Sequence, residues 1–339
     1  MAPIQKIREL LHTPKKVVIV IHQSPDGDAL GSGIAVTSFL KKKGHHVTFI
    51  SPDTPPPFLA WLPGMETVVS FDEETTRKQA TQALQEAELI LCLDFPVLHR
   101  AGAVAPLVSA SKAPKIVLDH HPDHEAFAEV MWMDTQACAT AALVYRMIHA
   151  LEGDDLIDAT MATCLYVAIL TDTGSFQYAN TSAEAHLVAG TLIKQGANLE
   201  TIRQYISPRQ PLSKRRFFAH MFLKRLVVMP QHQAAYFLLP RTDYLKFKLQ
   251  SGDTSGLASE ALEIEGVSLA VLLVEKDEKT HLSFRSAGNI PVNQLSQNYF
   301  SGGGHRNAAG GSCPLSLKET EEKLRHMITT EMPQYLGNS

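Results

Sequence analysis

The sequence is poor in the features that mark secreted and membrane-spanning proteins. Its 339 residues include only 4 cysteines, and none is spaced as a C-x-x-C pair. Few cysteines in a chain of this length argue against disulfide staples and favour reduced thiols. The N-terminus lacks a long apolar segment after its first charges, and no apolar run approaches the ~18 residues of a membrane span. We therefore expect a cytoplasmic protein with no membrane contact.

The chain also lacks a large excess of charge of either sign. Its formal net charge is -4 and its isoelectric point is near 6.4. Proteins that bind long nucleic acids usually carry a broad basic surface, so any nucleic-acid contact here should be local and short. Hydrophobic residues make up 45% of the chain, an ordinary globular value. The length suits about two domains of roughly 100–200 residues each.

Strand-like and helix-like segments alternate through the first half of the chain. Val17–Ile21 is an uninterrupted β-branched run, typical of a strand buried on both faces of a parallel sheet. A helix is predicted after it, from Asp28 to Lys43, and Gly44 ends it. This alternation predicts an α/β fold. Further strands are predicted at 47–50, 89–93 and 115–118, and further helices at 4–11, 138–151, 155–171 and 181–196, the last begun by a capping box of Thr181 and Glu184.

The second half begins with a basic helical stretch and then returns to strands. Residues 199–226 are interpreted as a helical connector between domains. The predicted organisation is a parallel-sheet catalytic domain at 1–198, the connector at 199–226, and a smaller α/β domain at 227–339. Beyond the connector, strands are predicted at 234–239, 268–275 and 281–285, followed by a glycine-rich loop at 302–311 and a polar helix at 317–330.

Three of the predicted strands run directly into aspartate and histidine. Ligands of open parallel sheets bind beyond the carboxyl ends of the strands, so residues remote in sequence should meet at one edge. A further aspartate follows the apolar helix predicted at 155–171. The candidate residues are His22, Asp26, Asp28, Asp94, Asp119, His120, His121 and Asp172.

So many carboxylates cannot share a partly buried site without compensating positive charge. Two divalent cations would supply that charge and would clamp phosphate oxygens. The mixture of oxygen and imidazole ligands favours Mn²⁺, with Mg²⁺, Co²⁺ and Zn²⁺ as substitutes. Taken singly, Asp26 and Asp28 fit a simple Pro-Asp-Gly turn better than a metal site, and Asp94 fits a helix cap equally well. Three such coincidences at successive strand ends favour the metal site.

The glycine-rich stretch near the C-terminus forms a second candidate site. Glycines let backbone N–H groups approach and cradle anions, and an arginine supplies a fixed cation for phosphate. The sequence alone supports a flexible surface turn equally well. A nucleoside-triphosphate P-loop is excluded because no GK[ST] follows the glycines. The candidate substrate-binding residues are Arg285, Gly302, Gly303, Gly304, His305 and Arg306.

Together these motifs resemble those of the DHH phosphoesterases. The resemblance covers nearly the whole chain in the order of the family's motifs. Within the family, length and architecture are most similar to the stand-alone enzymes that hydrolyse very short oligoribonucleotides (nanoRNA) and 3′-phosphoadenosine-5′-phosphate (pAp). The matching segments are His22-x-x-Pro25-Asp26-x-Asp28, Asp94, Asp119-His120-His121 and Thr171-Asp172-Thr173-Gly174, and Ser283–Ser286 with Gly302–Gly310 is similar to the DHH-associated C-terminal domain.

The resemblance implies a role for each candidate residue. His121 would contact the scissile phosphate or assist the leaving group, and Asp119 would orient a histidine. Arg285 and His305 would grip the substrate from the second domain. The implied metal ligands are His22, Asp26 and Asp94 for one ion and Asp28, Asp94, His120 and Asp172 for the other, with Asp94 shared.

The implied reaction is attack of a metal-bridging hydroxide on phosphorus. It would convert nanoRNA to mononucleotides, or pAp to AMP and phosphate, in a cleft whose closure limits substrate length. Two alternatives remain open: a phosphodiesterase for cyclic or linear dinucleotides such as c-di-AMP and pApA, and a non-catalytic sensor that only binds nucleotides. The oligomeric state is also open, with a homodimer among the alternatives.

Overall fold

A computed structural model describes residues 3–206, 211–250, 252–276 and 279–336, with the backbone alone at His305. The chain divides into two compact units, residues 1–208 (unit 1) and residues 209–339 (unit 2). Each unit is built on one six-stranded sheet. This confirms the predicted fold class, a parallel-sheet α/β domain followed by a smaller α/β domain.

Unit 1 is a parallel sheet covered by helices on both faces. Its strands are β1 Lys16–Val20, β2 His46–Ser51, β3 Val68–Ser70, β4 Leu89–Leu93, β5 Lys115–Asp119 and β6 Val130–Met133. Its helices are α1 Pro3–Leu10, α2 Gly27–Lys42, α3 Glu74–Gln85, α4 Ala105–Ala110, α5 Thr140–Ala150, α6 Ala159–Asp172, α7 Ala183–Lys194 and α8 Leu199–Ile206. The strand order is β3-β2-β1-β4-β5-β6, with every neighbouring pair parallel.

Alternate residues of β1 face the two cores of unit 1. Val17 and Ile19 pack in the core formed with α2, α5 and α6, whereas Val18 and Val20 pack in the core formed with α3 and α4. Both faces of the strand are therefore apolar, which explains its uninterrupted β-branched sequence. The strand order reverses between β1 and β4, and such a reversal opens a crevice at the carboxyl ends of the strands.

Several boundaries in unit 1 differ from the sequence-based expectations. The short strands β3 and β6 were not predicted, because runs of 3 and 4 residues carry little periodic signal. The predicted capping box of Thr181 and Glu184 is wrong: the Ser182 side chain accepts the hydrogen bond from Ala185 N, and α7 begins at Ala183. Helix α6 begins only at Ala159, with the Asp158 side chain as its N-cap.

Two glycines let α2 lie directly against α6. A Cβ on Gly27 would stand 2.4 Å from Thr171 Oγ1, and one on Gly31 would stand 2.4 Å from the backbone oxygen of Cys164. Residues four apart share one face of a helix, so both glycines belong to the same contact. Any larger residue would force the helices apart. This close approach brings the first turn of α2 to the C-terminal end of α6.

Unit 2 is a mixed sheet with its own cores on both faces. Its strands are β7 Leu226–Met229, β8 Ala234–Leu239, β9 Leu269–Lys276, β10 Lys279–Ser286, β11 Gly303–His305 and β12 Ala308–Cys313, in the order β11-β12-β10-β9-β8-β7. Its helices are α9 Leu212–Lys224, α10 Arg241–Lys246, α11 Leu257–Leu262, α12 Val292–Tyr299 and α13 Leu317–Leu336. Among the helices of the described ranges, none is both long and apolar enough to cross a membrane.

The glycine-rich stretch is a hairpin, and the expectation of a loop there is wrong. Strands β11 and β12 pair antiparallel across a turn at Arg306 and Asn307. A Cβ on Gly302 would stand 2.1 Å from both Ser296 Oγ and the backbone oxygen of Gly310. The glycine is therefore needed for close packing of α12 on the hairpin, a contact that local sequence does not reveal.

The stretch predicted as a connector contains two separate helices. Helix α8 contributes Ile202 to the core of unit 1, whereas α9 contributes Phe217 and Met221 to a core of unit 2. Residues 207–210, between these helices, lie outside the described ranges. The domain boundaries at 198/199 and 226/227 stay a prediction.

The close contact between α2 and α6 predicts that a methyl group added at Gly31 lowers the stability of the protein. We expect Gly31→Ala to lower the free energy of unfolding by about 1–3 kcal/mol, because its Cβ meets a backbone oxygen that cannot rotate away. Gly190→Ala in α7 is the matched control, since no atom lies within 4 Å of its Cβ. That control should gain roughly 0.4–1 kcal/mol from helix propensity and reduced chain entropy. Urea unfolding measures both; equal effects of the two substitutions would contradict the packing argument.

Candidate metal centre

The carboxyl ends of three adjacent strands of unit 1 meet at one place. Strand β1 ends two residues before His22, β4 ends just before Asp94, and β5 ends at Asp119. Helix α2 begins after Asp26 and α6 ends at Asp172, on the same side of the sheet. All eight sequence-predicted residues therefore lie at this edge, as three overlapping groups and one residue behind them.

Each group offers ligand atoms that lie within 4.8 Å of one another. The groups are His22, Asp26 and Asp94; Asp28, His120 and Asp172; and Asp94, His120 and His121. Two of these three sets contain Asp94, and two contain His120. The sets agree with the ligands that the family resemblance implies for two ions, while the ligand roles themselves stay predictions.

Asp94 faces both ligand groups with different oxygens. Its Oδ2 lies 3.4 Å from His22 Nε2, and its Oδ1 lies 3.8 Å from His120 Nε2. Asp94 is 1% exposed, and its Oδ1 accepts a hydrogen bond from Thr140 Oγ1 at 2.9 Å. The backbone at Asp94 is left-handed, with φ of +66°, a strained conformation for a residue with a Cβ. This conformation directs the carboxylate between the two groups.

Asp28 is held by the N-terminus of another helix. Its oxygens accept hydrogen bonds from Thr140 N at 2.6 Å and from Ala141 N at 2.9 Å, the first two residues of α5. The first N–H groups of a helix have no partner within the helix, so a helix N-terminus favours a negatively charged neighbour. Burial nevertheless raises the pKa of Asp28 well above its usual value, and the charges of Asp94 and Asp172 raise it further.

Asp26 combines two roles that the sequence presented as alternatives. Its Oδ1 caps α2 by accepting hydrogen bonds from Asp28 N at 3.0 Å and Ala29 N at 3.1 Å. Its other oxygen, Oδ2, lies 3.8 Å from His22 Nε2. Because a carboxylate has two oxygens, the turn residue can also serve as a ligand.

His22 and His120 present the same nitrogen to the carboxylates. His22 Nδ1 donates to the backbone oxygen of Gln23 at 2.7 Å, and His120 Nδ1 donates to that of Ala137 at 3.2 Å. Each Nε2 then faces carboxylate oxygens, the nearest for His120 being Asp172 Oδ2 at 3.3 Å. A lone pair facing carboxylates is stable only with a cation or a proton between them, so the tautomer suits a metal site.

His121 is oriented by a buried carboxylate rather than by the backbone. Its Nδ1 donates to Asp119 Oδ1 at 2.8 Å, and Asp119 is fully buried at the end of β5. Asp119 therefore orients His121, while a backbone oxygen orients His120. The hydrogen bond to Asp119 raises the pKa of His121, and burial opposes this rise. With 41% of its side chain exposed, His121 is the histidine of the cluster most open to solvent.

The centre concentrates negative charge without lysine or arginine counterions. Within the described residues, every ion pair of its five aspartates is with a histidine. Burial lowers the pKa of His22, but the carboxylates of Asp26 and Asp94 together raise it to about 10. Burial raises the pKa of Asp172 to about 6, despite the opposing charge of His120. The donor set of carboxylate oxygens and imidazole nitrogens fits divalent cations, which would offset this concentrated negative charge.

Sequence analysis missed the groups that hold the ligands in position. Thr140 contributes both its hydroxyl, to Asp94, and its backbone N–H, to Asp28. The backbone oxygens of Gln23 and Ala137 fix the two imidazoles. One signal in the sequence could have revealed them. A helix was predicted from residue 138, and a helix N-terminus attracts carboxylates.

The candidate substrate residues of unit 2 lie at one end of its sheet. Arg285 of β10 is paired with Ala308, next to the turn of the β11–β12 hairpin that contains Arg306. The Arg285 guanidinium donates to the backbone oxygen of Phe284 at 2.8 Å. The Arg306 guanidinium donates to the backbone oxygen of Asn289 at 3.1 Å. The backbone of His305 ends β11, and its side chain lies outside the described part of the structure. Gly302, Gly303 and Gly304 enter this hairpin, and the substrate-binding role of all six residues stays a prediction.

Comparison with known proteins identifies the family. A model described as the DHH family, N-terminal domain, matches residues 16–169, and one described as the DHHA1 domain matches residues 234–332. An exopolyphosphatase-related protein from Bacteroides fragilis has a crystal structure that is 30% identical, with a TM-score of 0.84, and the match covers 98% of this chain and 97% of that one. The chain belongs to the DHH family. The family prediction is thereby confirmed.

Two further comparisons concern a curated relative and a solved structure. The bifunctional oligoribonuclease and PAP phosphatase NrnA of Bacillus subtilis is 27% identical over 317 residues, which cover 92% of this chain and 94% of the relative. A crystal structure of exonuclease RecJ bound to manganese is 13% identical with a TM-score of 0.52, covering 97% and 94% of the two chains. The latter likeness shows a shared fold.

Asp94 is the residue that should decide metal binding. We expect Mn²⁺ at a hundred times its dissociation constant to stabilise the wild type by about 2.7 kcal/mol. Asp94→Asn keeps an oxygen for Thr140 but removes the charge between the two groups, so most of this stabilisation should be lost. Asp155→Asn, at an exposed position, is the matched control and should keep it. Urea unfolding with and without Mn²⁺ measures the difference; full stabilisation of Asp94→Asn would contradict the assignment.

The raised pKa of His22 predicts that metal binding depends on pH. A pKa of about 10 means that His22 is protonated at neutral pH before metal binds. A metal ion must displace this proton, so apparent affinity for Mn²⁺ should rise with pH, by roughly tenfold per unit between pH 7 and 8.5. Calorimetry in buffers of different ionisation enthalpy measures the released proton. Affinity that is independent of pH, with no proton release, would show that His22 is not a ligand.

Proposed function

We propose that this DHH protein is a metal-dependent phosphoesterase that hydrolyses nanoRNA to mononucleotides and pAp to AMP and phosphate. The observation that supports it best is the position of Asp94, whose two oxygens face two separate ligand groups. A carboxylate shared in this way is characteristic of centres that hold two metal ions for phosphoryl chemistry.

The geometry of unit 1 supports the ligand sets that the family resemblance implies. His22, Asp26 and Asp94 would hold one ion, and Asp28, His120 and Asp172 would hold the second together with Asp94, which lies beside His120. Mn²⁺ is the preferred ion because oxygen and imidazole donors are mixed. When bound, such ions polarise phosphate oxygens and lower the pKa of water. The chain's own contribution is to hold these donors rigidly, through the α5 N-terminus and through backbone oxygens that fix both imidazoles.

His121 is proposed to act on the reacting phosphate. Its Nδ1 is bound to Asp119, so Nε2 is the nitrogen left to reach a substrate. The hydrogen bond to Asp119 raises the pKa of His121, which favours the protonated imidazole as a proton donor to a phosphate oxygen or to the leaving group. Asp119 then stabilises the charged imidazolium from a buried position, as in other carboxylate–histidine pairs.

The substrate class is proposed from the relatives and from charge. The relative from Bacillus subtilis matches this chain over almost its full length and is named for oligoribonuclease and PAP phosphatase activity. The net charge of -4 is consistent with a short substrate rather than a long polyanion. Arg285, Arg306, His305 and the glycines 302–304 are proposed to bind the substrate from unit 2, where Arg285 and Arg306 provide fixed cations for a phosphate.

A substrate panel with purified protein tests the proposal. We expect Mn²⁺-dependent turnover of a ribodinucleotide, a pentaribonucleotide and pAp, and much slower turnover of a long RNA. Asp94→Asn should lower kcat/KM by roughly 10³-fold or more, because metal-assisted charge stabilisation supplies several kcal/mol of the barrier reduction. Asp155→Asn should match the wild type. Product chromatography and phosphate release provide the readouts.

The same panel separates the alternatives. Preferential turnover of c-di-AMP or pApA would replace the proposed substrates by dinucleotides while keeping the metal chemistry. Binding of these nucleotides with no turnover of any of them, under every metal tried, would show a nucleotide sensor and overturn the enzyme assignment. Equal activity of Asp94→Asn and the wild type would overturn the proposed metal centre.

A further inference from the structure

The segment that follows Asp172, residues 173–181, is an ordered turn built around Thr173. The backbone oxygen of Thr173 accepts hydrogen bonds from Gln177 N at 2.9 Å and Tyr178 N at 3.0 Å, and its hydroxyl accepts one from Phe176 N at 3.1 Å. Gly174, Ser175 and Phe176 all have left-handed φ, between +54° and +64°. Consecutive strained residues of this kind persist only where the surroundings hold them, and they often lie at functional sites.

Two contacts anchor this turn to unit 1. Phe176 is half-buried, stacked on His186 with ring centroids 5.1 Å apart and edge-on to Tyr166 at 6.1 Å. Asn180 Nδ2 donates to the backbone oxygen of Asp172 at 3.2 Å and to that of Cys138 at 3.0 Å. The turn is therefore tied to the proposed ligand Asp172 and to the segment leading into α5.

Tyr178 projects from this anchored turn into solvent. It is 62% exposed, whereas Phe176, two residues earlier, is packed against neighbouring rings. Its ring lies against Gly174, since a Cβ at that glycine would stand 2.4–2.7 Å from three ring atoms. Gly174 is two residues from Asp172, so their Cα atoms are at most about 7.6 Å apart. An exposed aromatic ring is thus held against a glycine that lies two residues from the proposed ligand Asp172.

We infer that Tyr178 stacks on the base of a nucleotide whose phosphate lies at the metal centre. The inference rests on the proposed function and adds the group that recognises the nucleoside. A neutral ring has no charge with which to hold phosphate, but its face stacks on any base with little sequence preference. Tyrosine also loses little conformational entropy when it makes such a contact, and here the backbone is already ordered. The ring can lie against residue 174 because glycine has no Cβ there.

Kinetics with paired substrates test this role. One substrate is pAp, and the other is its abasic analogue, 1-O-methylribose 3,5-bisphosphate, which carries the same phosphates without a base. Tyr178→Ala should raise KM for pAp by about tenfold or more with a much smaller change in kcat, and should leave the abasic analogue unaffected. Tyr178→Phe should restore wild-type KM, because the ring rather than the hydroxyl makes the contact.

Leu187→Ala is the matched control. Leu187 is a large apolar side chain of unit 1 that is 72% exposed on α7, so its loss removes comparable surface away from the turn. This variant should behave as the wild type on both substrates. An equal KM for pAp in Tyr178→Ala and Leu187→Ala would overturn the inference. The inference would also be overturned if Tyr178→Ala and Tyr178→Phe both lost activity on both substrates. That result would show that Tyr178 has a structural role.

Binding of AMP separates failure of this inference from failure of the proposed function. Calorimetry of AMP in the presence of Mn²⁺ requires no turnover. Weaker binding to Tyr178→Ala by about tenfold, with binding to Tyr178→Phe unchanged, supports stacking even if the wild type hydrolyses neither substrate. Equal binding of AMP to the wild type and Tyr178→Ala overturns stacking, even if the wild type turns over the whole panel.

Discussion

Mutual repulsion among carboxylates at one sheet edge is the constraint on which the rest of the structure depends. Five aspartates lie at or directly behind this edge, and within the described residues their ion-pair partners are histidines alone. Burial first, and then the charge of neighbouring aspartates, raises the pKa of Asp172 to about 6 and that of Asp28 well above its usual value. The arrangement is stable only when protons or cations intervene, and the two fixed imidazole tautomers favour cations.

Hydrogen-bond donors around this edge point at the carboxylates and reduce their mutual repulsion. The N-terminus of α5 donates two backbone hydrogen bonds to Asp28, and the hydroxyl of Thr140 donates one to Asp94. Close packing of α2 on α6, which depends on Gly27 and Gly31, holds the ligands of these two helices together. Helix packing directly beside the ligands therefore sets the geometry of the centre, and Tyr178 belongs to the ordered turn at 173–181 that follows Asp172.

Sequence reasoning was most successful where one strong pattern covered a whole element. The β-branched run of β1 identified a doubly buried strand, and strand ends carrying aspartate and histidine identified the edge at which they meet. It failed where the decisive interaction is long-range. The glycines of residues 302–311 suggested a loop, but β11 and β12 form a hairpin there, and Gly302 before it packs closely against Ser296 of α12. The cap of α7 moved from Thr181 to Ser182 for a local reason, since only Ser182 accepts from Ala185 N.

By itself, the sequence determined the α/β class, the set of candidate ligands and the resemblance to the DHH family, because each depends on residue type and order. Only the tertiary structure decided which oxygen of Asp94 faces which group, and that Asp119 orients His121 while Ala137 orients His120. It also decided that Tyr178 is exposed while Phe176 is anchored. These facts depend on directions and distances between residues remote in the chain, whereas spacing along a sequence indicates direction only within a single helix or strand.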